Sequence, residues 1–183
     1  MSSKSLIIFL GSFTRQASNF RTPMNLQEIL SEDNIVFVTS ESWGNAITEI
    51  TGFLKDLTEI TDISTIVESV RENEEHLASS AGRGVAYPHG ISSELQSFVS
   101  VIGINRDGFE CSTPDGLPCQ IIVLTVSPAH ALDSHCKFLS LFRSMISNSA
   151  IRASILETQT ISEVVKIIHN WQAKILDPED DDI

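Results

Sequence analysis

Two stretches of this chain, Phe98–Ile104 and Cys119–Val126, are apolar almost without a break. A strand with one solvated face alternates apolar and polar residues. A strand that does not alternate has both faces covered, and helices packed on each side of a sheet supply that cover. The helices can be read from the sequence. Ile47, Ile50, Leu54 and Leu57 recur at helical spacing from about Trp43 onward. Ile63, Ile66, Val67 and Val70 form a second stripe, with Thr61 or Asp62 as its cap and Arg71-Glu-Asn-Glu-Glu as a polar exit. Leu132, Phe138, Leu139, Phe142 and Ile146 define a third helix. Thr160-Ile-Ser-Glu163 has the form of a capping box opening a last one, whose buried stripe is Val164, Val165, Ile168, Trp171 and Ile175.

The remaining strands are short. Ile35–Val38 is β-rich and bounded by polar residues, and Gly84–Tyr87 is expected to stop at Pro88, which cannot continue a central ladder. Arg106-Asp107-Gly108 and Pro114-Asp115-Gly116 read as turns, which makes Phe109–Ser112 a hairpin strand between them. The pattern predicts an α/β fold, a single-domain sandwich of a mixed β-sheet flanked by α-helices.

At 183 residues the chain suffices for one domain. Residues 1–23 read as an N-terminal extension without packed structure, residues 24–176 as the domain and residues 177–183 as an acidic tail in solvent; Met24 is an alternative translation start. The apolar run Leu6–Leu10 is too short to span a bilayer and lacks a secretory cleavage site. A net charge of −12 with no basic stripe excludes nucleic acid as a partner. Three cysteines without framework spacing point to reduced thiols in a cytosol.

Chemistry concentrates in Ser79-Ser-Ala-Gly-Arg-Gly-Val-Ala-Tyr-Pro-His89-Gly90. Gly82 and Gly84 allow close backbone approach and expose N–H groups suited to phosphate oxygens. Pro88 stiffens the turn that presents His89, and Gly90 leaves room beside it. A neutral imidazole is a nucleophile towards phosphorus. Taken alone, His89 reads as a turn histidine between Pro and Gly, and one Gly-x-Gly is weak evidence. A metal site is the rival: His130, His135 and Cys136 lie close in sequence and His89 could complete a set, but a tight repeated pair is missing. His130 reads as a loop residue, His76 and His169 as surface residues, Cys136 as helix packing, and Cys111 and Cys119 as strand cysteines. Trp43 and Trp171 read as core or half-buried. No Gly-x-Ser-x-Gly elbow is present.

The segment ending in Ala-Tyr-Pro-His89-Gly90 resembles the active-site signature of type-2 enzyme IIA of the phosphoenolpyruvate-dependent sugar phosphotransferase system, the fructose/mannitol/nitrogen-regulatory family. The resemblance continues in order through Val101–Gly108, Pro114–Cys119, Ser127-Pro128, a helix carrying His135 and the last helix to Lys174. It implies a phosphotransferase, a cytoplasmic phosphohistidine carrier with His89 as acceptor. His135 is implied as a second active-site histidine at a helix N-terminus, and Arg71 as the charge-neutralising arginine. Ser79, Gly82, Arg83 and Gly84 are implied in holding phosphate. The interval from Arg71 to His89 is slightly longer than the pattern, so Arg83 could stand in for Arg71; Cys136 replaces the usual leucine after the second histidine. The implied partners are a phospho-HPr-like donor and either a fructose/mannitol-type IIB or a regulatory target, with no cofactor, no metal and no membrane insertion. With no IIB or membrane IIC segment attached, the chain reads as a stand-alone IIA, leaning towards the nitrogen-regulatory kind.

Overall fold

The computed structural model describes residues 24–177, so the expected extension over residues 1–23 and nearly all of the acidic tail lie outside the described residues. The chain order is α1 (Leu26–Ile29), β1 (Ile35–Phe37), α2 (Trp43–Gly52), α3 (Leu54–Leu57), α4 (Ile63–His76), β2 (Ser80–Gly82), β3 (Val85–Ala86) and β4 (His89–Ile91). It continues with β5 (Val99–Phe109), β6 (Cys119–Ser127), α5 (Leu132–Ile146), α6 (Ser149–Glu157) and α7 (Ile161–Leu176).

The strands form one six-stranded mixed sheet in the order β1-β5-β6-β3-β2. β5 and β6 are its antiparallel centre, and β1 joins β5 in parallel. β3 and β4 lie end to end along the other side of β6, both parallel to it. Side chains alternate across the sheet as the pleat requires. Ile122, Leu124 and Val126 of β6 pack in the core under α2–α4, with Ile47, Ile50, Ile66 and Val70. Ile121 and Val123 pack in the core under α1 and α5–α7, with Phe138, Phe142, Val164 and Ile168. Both faces of β5 and β6 are therefore covered, which is why these strands do not alternate in sequence.

Local chemistry explains the helix starts. Asp62 caps α4 by accepting from the Thr65 N–H at 3.1 Å. Thr160 and Glu163 form the expected capping box, Thr160 Oγ1 accepting from Glu163 N at 3.3 Å and Glu163 Oε2 from Thr160 N at 3.0 Å.

Several expectations need correction. The α2 stripe is split, the helix ending at Gly52 and resuming as the short α3. Arg71–Glu75 is not an exit, since α4 continues to His76. β3 does end before Pro88, at Ala86, but the chain resumes at once as β4, and the Pro88 carbonyl accepts from Thr125 N at 3.1 Å, a bond for which proline needs no N–H of its own. Arg106-Asp107-Gly108 does not reverse the chain. β5 runs through it with a register shift, Gly108 at φ +79° donating to Asn105 Oδ1 at 2.7 Å, so these residues build an irregularity within the ladder. Phe109 pairs with Cys119 at the end of β5, so Phe109–Ser112 is not a separate hairpin strand and Cys111 lies off the sheet. β2 and α6 were not expected. Ile175 and Leu132 are about half exposed and Cys136 is exposed, so none is a core residue. His169 is half-buried, its Nε2 3.0 Å from the Leu30 carbonyl oxygen.

Candidate functional site

Along the α5 face of β6 the side chains change character. Ile121 and Val123 are apolar, whereas Thr125 and Ser127, next on the same face, carry hydroxyls. The change falls where β4 runs alongside, His89 opposite Thr125 and Ile91 opposite Ser127. The sheet thus turns polar at the carboxyl ends of β4 and β6, a common position for sites in sheets of this kind.

His89 opens β4 and is exposed. Its backbone is held from behind: Asn73 Nδ2 on α4 donates to the His89 carbonyl at 3.0 Å. Gly90 lets that helix approach, because a Cβ there would sit 2.9 Å from Val70 Cγ2. The room expected beside the imidazole is therefore occupied by α4, on the face away from α5.

His135 lies in the first turn of α5, only 7% exposed. Its ring centroid is 6.4 Å from that of His89, with planes at 55°. Ser127 Oγ lies 3.2 Å from His135 Nδ1, and His135 Nε2 is buried without a hydrogen-bond partner. Burial, and then the nearby charge of His89 when protonated, hold the His135 pKa below its ordinary value, so the ring is neutral near neutrality. α5 begins without a side-chain cap, which leaves first-turn N–H groups and the positive end of the helix dipole near His135.

The other expected residues lie elsewhere. Arg71 projects from α4 towards α2, its Nη2 donating to the Gly44 carbonyl at 3.0 Å and to Thr48 Oγ1 at 2.8 Å. Gly82, Arg83 and Gly84 form the β2–β3 turn, all at positive φ (75°, 58° and 74°). The Arg83 N–H donates to Asp115 Oδ2 at 2.6 Å, and a Cβ on Gly82 would fall 2.9 Å from the same oxygen. A carboxylate from a distant loop therefore occupies the close approach at Gly82 that was expected to serve a phosphate. Hydrogen bonds from the backbone hold the Asp115 pKa below the usual value. The Ser79 hydroxyl is buried and unpartnered, and the Ser79 carbonyl accepts from Tyr87 N at 3.2 Å. His130 points elsewhere, its Nε2 3.2 Å from the Gln96 carbonyl oxygen. Among the described residues, no group of three or more His, Cys, Asp or Glu side chains could hold a metal ion, and no helix is long and apolar enough to cross a membrane.

Sequence reasoning paired His89 with His135 and missed Asn73, Asp115 and Ser127. For Ser127 a signal existed: it shares strand parity with Ile121 and Val123 yet is polar and precedes a proline.

Comparison with known proteins bears on this arrangement. Residues 28–171 match the family model described as phosphoenolpyruvate-dependent sugar phosphotransferase system, EIIA 2. A curated relative, the PTS system fructose-specific EIIABC component of Bacillus subtilis (strain 168), is 22% identical over 147 residues; the match spans 80% of this chain but only 23% of that protein. Among solved structures, the nitrogen regulatory protein IIA-Ntr from Neisseria meningitidis aligns with a TM-score of 0.71 at 24% identity, covering 78% of this chain and 98% of that one. The complex of enzyme IIA-Mtl and phosphorylated enzyme IIB-Mtl from Escherichia coli aligns with a TM-score of 0.66 at 12% identity, covering 77% and 97%. At these identities the structural likeness is one of fold.

Proposed function

The chain belongs to the EIIA 2 family of the phosphoenolpyruvate-dependent sugar phosphotransferase system, and on that premise we propose that it is a phosphoryl carrier whose acceptor is His89. One observation carries the assignment: an exposed histidine at a strand end stands 6.4 Å from a buried histidine whose Nε2 has no partner. In the proposed step a ring nitrogen of neutral His89 attacks the phosphorus of a phosphohistidine on an HPr-type donor. The new P–N bond forms as the donor's breaks; the donor imidazole leaves neutral, keeping the proton on its other nitrogen, and His89 sheds the corresponding proton to water. Such a transfer needs positioning and charge stabilisation more than further covalent chemistry. Asn73 and the β4–β6 ladder fix the His89 backbone. His135 and the open amides of α5 supply hydrogen-bond donors for the phosphoryl oxygens. Arg71 is bonded to α2, so neutralisation by this arginine requires it to leave Gly44 and Thr48.

For the onward step we favour a nitrogen-regulatory-like role, in which phosphorylation alters protein contacts through local charge. The nitrogen regulatory protein IIA-Ntr shares this fold, and this reading carries its role over by analogy. Delivery to a IIB is the second reading, supported by the likeness to a IIA solved with phosphorylated IIB. Either role places the protein in the cytoplasm, in keeping with its free thiols.

The test is incubation with phosphoenolpyruvate, enzyme I and HPr, followed by intact-mass measurement. One added phosphoryl group is expected, absent in His89→Ala. Labelling that persists in that variant overturns the acceptor assignment.

A further inference from the structure

We propose that Ser127 is a positioning residue that donates its hydroxyl proton to His135 Nδ1 and thereby keeps the His135 proton on Nε2, facing the phosphoryl group on His89. The proposal rests on the acceptor role assigned to His89 above. A neutral imidazole has one N–H and one bare lone pair, and the partner of one nitrogen decides which is which. Here the partners are unequal: Nδ1 faces the Ser127 hydroxyl at 3.2 Å, and Nε2 is buried with nothing to bond. A serine hydroxyl can donate or accept, so the second nitrogen settles the choice. A phosphoryl group brings only acceptor oxygens to this pocket, and a lone pair aimed at them repels where an N–H attracts. Only one arrangement satisfies all three groups: Ser127 donates, Nδ1 accepts, and Nε2–H is left for phosphate.

The fold holds Ser127 for this task. It ends β6, is 1% exposed, and pairs in register with Ile91, two residues after His89 on the adjacent strand. Its own carbonyl accepts from Ser92 N at 3.2 Å, which closes the ladder just beyond the site. The hydroxyl that orients one histidine and the strand that carries the other are thus parts of the same pair of strands. With both side chains buried, water is poorly placed to replace the hydroxyl, and an alanine at this position would leave Nδ1 unsatisfied. The ring would then spend part of its time as the Nδ1–H tautomer, with a lone pair towards His89.

The tautomer is read directly from the ring 15N chemical shifts of His135, and the lifetime of phospho-His89 from the decay of the added mass. The wild type is expected to be Nε2-protonated. Ser127→Ala is expected to show a mixture of tautomers and to lose its phosphoryl group faster by about tenfold, the size of one buried hydrogen bond. Ser127→Thr, which keeps the hydroxyl, should restore both readings, and Ser127→Cys offers a near-isosteric control if the alanine variant fails to fold. An Nδ1-protonated ring in the wild type overturns the proposal, as does a wild-type phosphoryl lifetime in Ser127→Ala. If wild-type protein is never phosphorylated, the acceptor assignment fails instead, and the tautomer comparison in the unphosphorylated protein decides the Ser127 question alone.

Discussion

Gly90→Ala is the substitution that most directly tests how the sheet positions His89, the proposed acceptor. The added Cβ would lie 2.9 Å from Val70 Cγ2, where carbon atoms prefer about 3.5–4.0 Å. Its distances to Ile66 Cγ2 and Val126 Cγ2, 3.6 and 3.8 Å, are ordinary contacts, so the clash is with a single methyl. Val70 is fully buried and, as a β-branched residue in a helix, has little rotamer freedom with which to yield. α4 must therefore back away from β4. Overpacking of this kind costs about 1–3 kcal/mol, and alanine returns about 0.4–1 kcal/mol by restricting the unfolded chain. The net loss is about 0–2.6 kcal/mol, with each kcal/mol lowering Tm by about 2–4 °C in a domain of this size. The same movement lengthens the Asn73 bond to the His89 carbonyl, so phosphorylation by HPr should slow as well. Urea unfolding of wild type, Gly90→Ala, Val70→Ala and the double variant provides the assay. With the Val70 methyls removed, alanine at position 90 should cost nothing or stabilise. If Gly90→Ala is equally costly in both backgrounds, the Val70 contact is not the cause and the reasoning fails.

Further outcomes follow from buried polar groups. Gln172, 2% exposed, accepts from Leu26 N at 2.5 Å and donates to the Met24 carbonyl at 2.6 Å, tying the start of the described chain to α7. Gln172→Ala should destabilise by about 2–3 kcal/mol through the stranded amide and carbonyl and raise hydrogen exchange over residues 26–30; unchanged exchange there would contradict the tie. Because the folded-state pKa of His135 is depressed by burial and by His89, the unfolded chain binds more protons below the ordinary 6.5. Stability should therefore fall as pH drops below that value, and His135→Gln should flatten the slope. The depressed carboxyls act lower. Asp62, held down to about 2 by hydrogen bonds from the Thr65 and Ser64 hydroxyls, contributes stability above its unfolded value that is lost as pH falls towards 2. Urea midpoints measured across the acid range distinguish the two windows, and an absence of any slope just below 6.5 would refute the histidine assignment.

How much of this fold is legible in sequence depends on how local its causes are. The Thr160–Glu163 box could be read because both of its hydrogen bonds lie within one turn. The first half of β5 and most of β6 could be read because Val101–Ile104 and Ile121–Val126 are buried on both faces of the sheet. Gly108 misled because its purpose is distant: a Cβ there would fall 2.8 Å from Pro118 Cβ, so the glycine permits close packing across the ladder, whereas its Asp-Gly context looks like a turn. α6 was hidden by its composition. Ser149–Glu157 contributes only Ile155 as a buried residue, too thin a stripe to stand out beside its neighbours.

The site divides along the same line. His89 is conspicuous in sequence, yet nothing local distinguishes a phosphate acceptor from a turn histidine; the proposed acceptor role draws on the order of motifs along the chain. The carboxylate that meets the glycine run, Asp115, could not be foreseen because it lies 32 residues from Arg83 and approaches only when the loop before β6 folds back. Ser127 could have been found. On a strand buried on both faces, a hydroxyl in line with Ile121 and Val123 is costly unless it has a partner. The partner must come from the element packed on that face, which is the helix carrying His135. A polar residue out of step with its own face thus points across the sheet to the group it serves, and that inference requires only strand parity and the next helix.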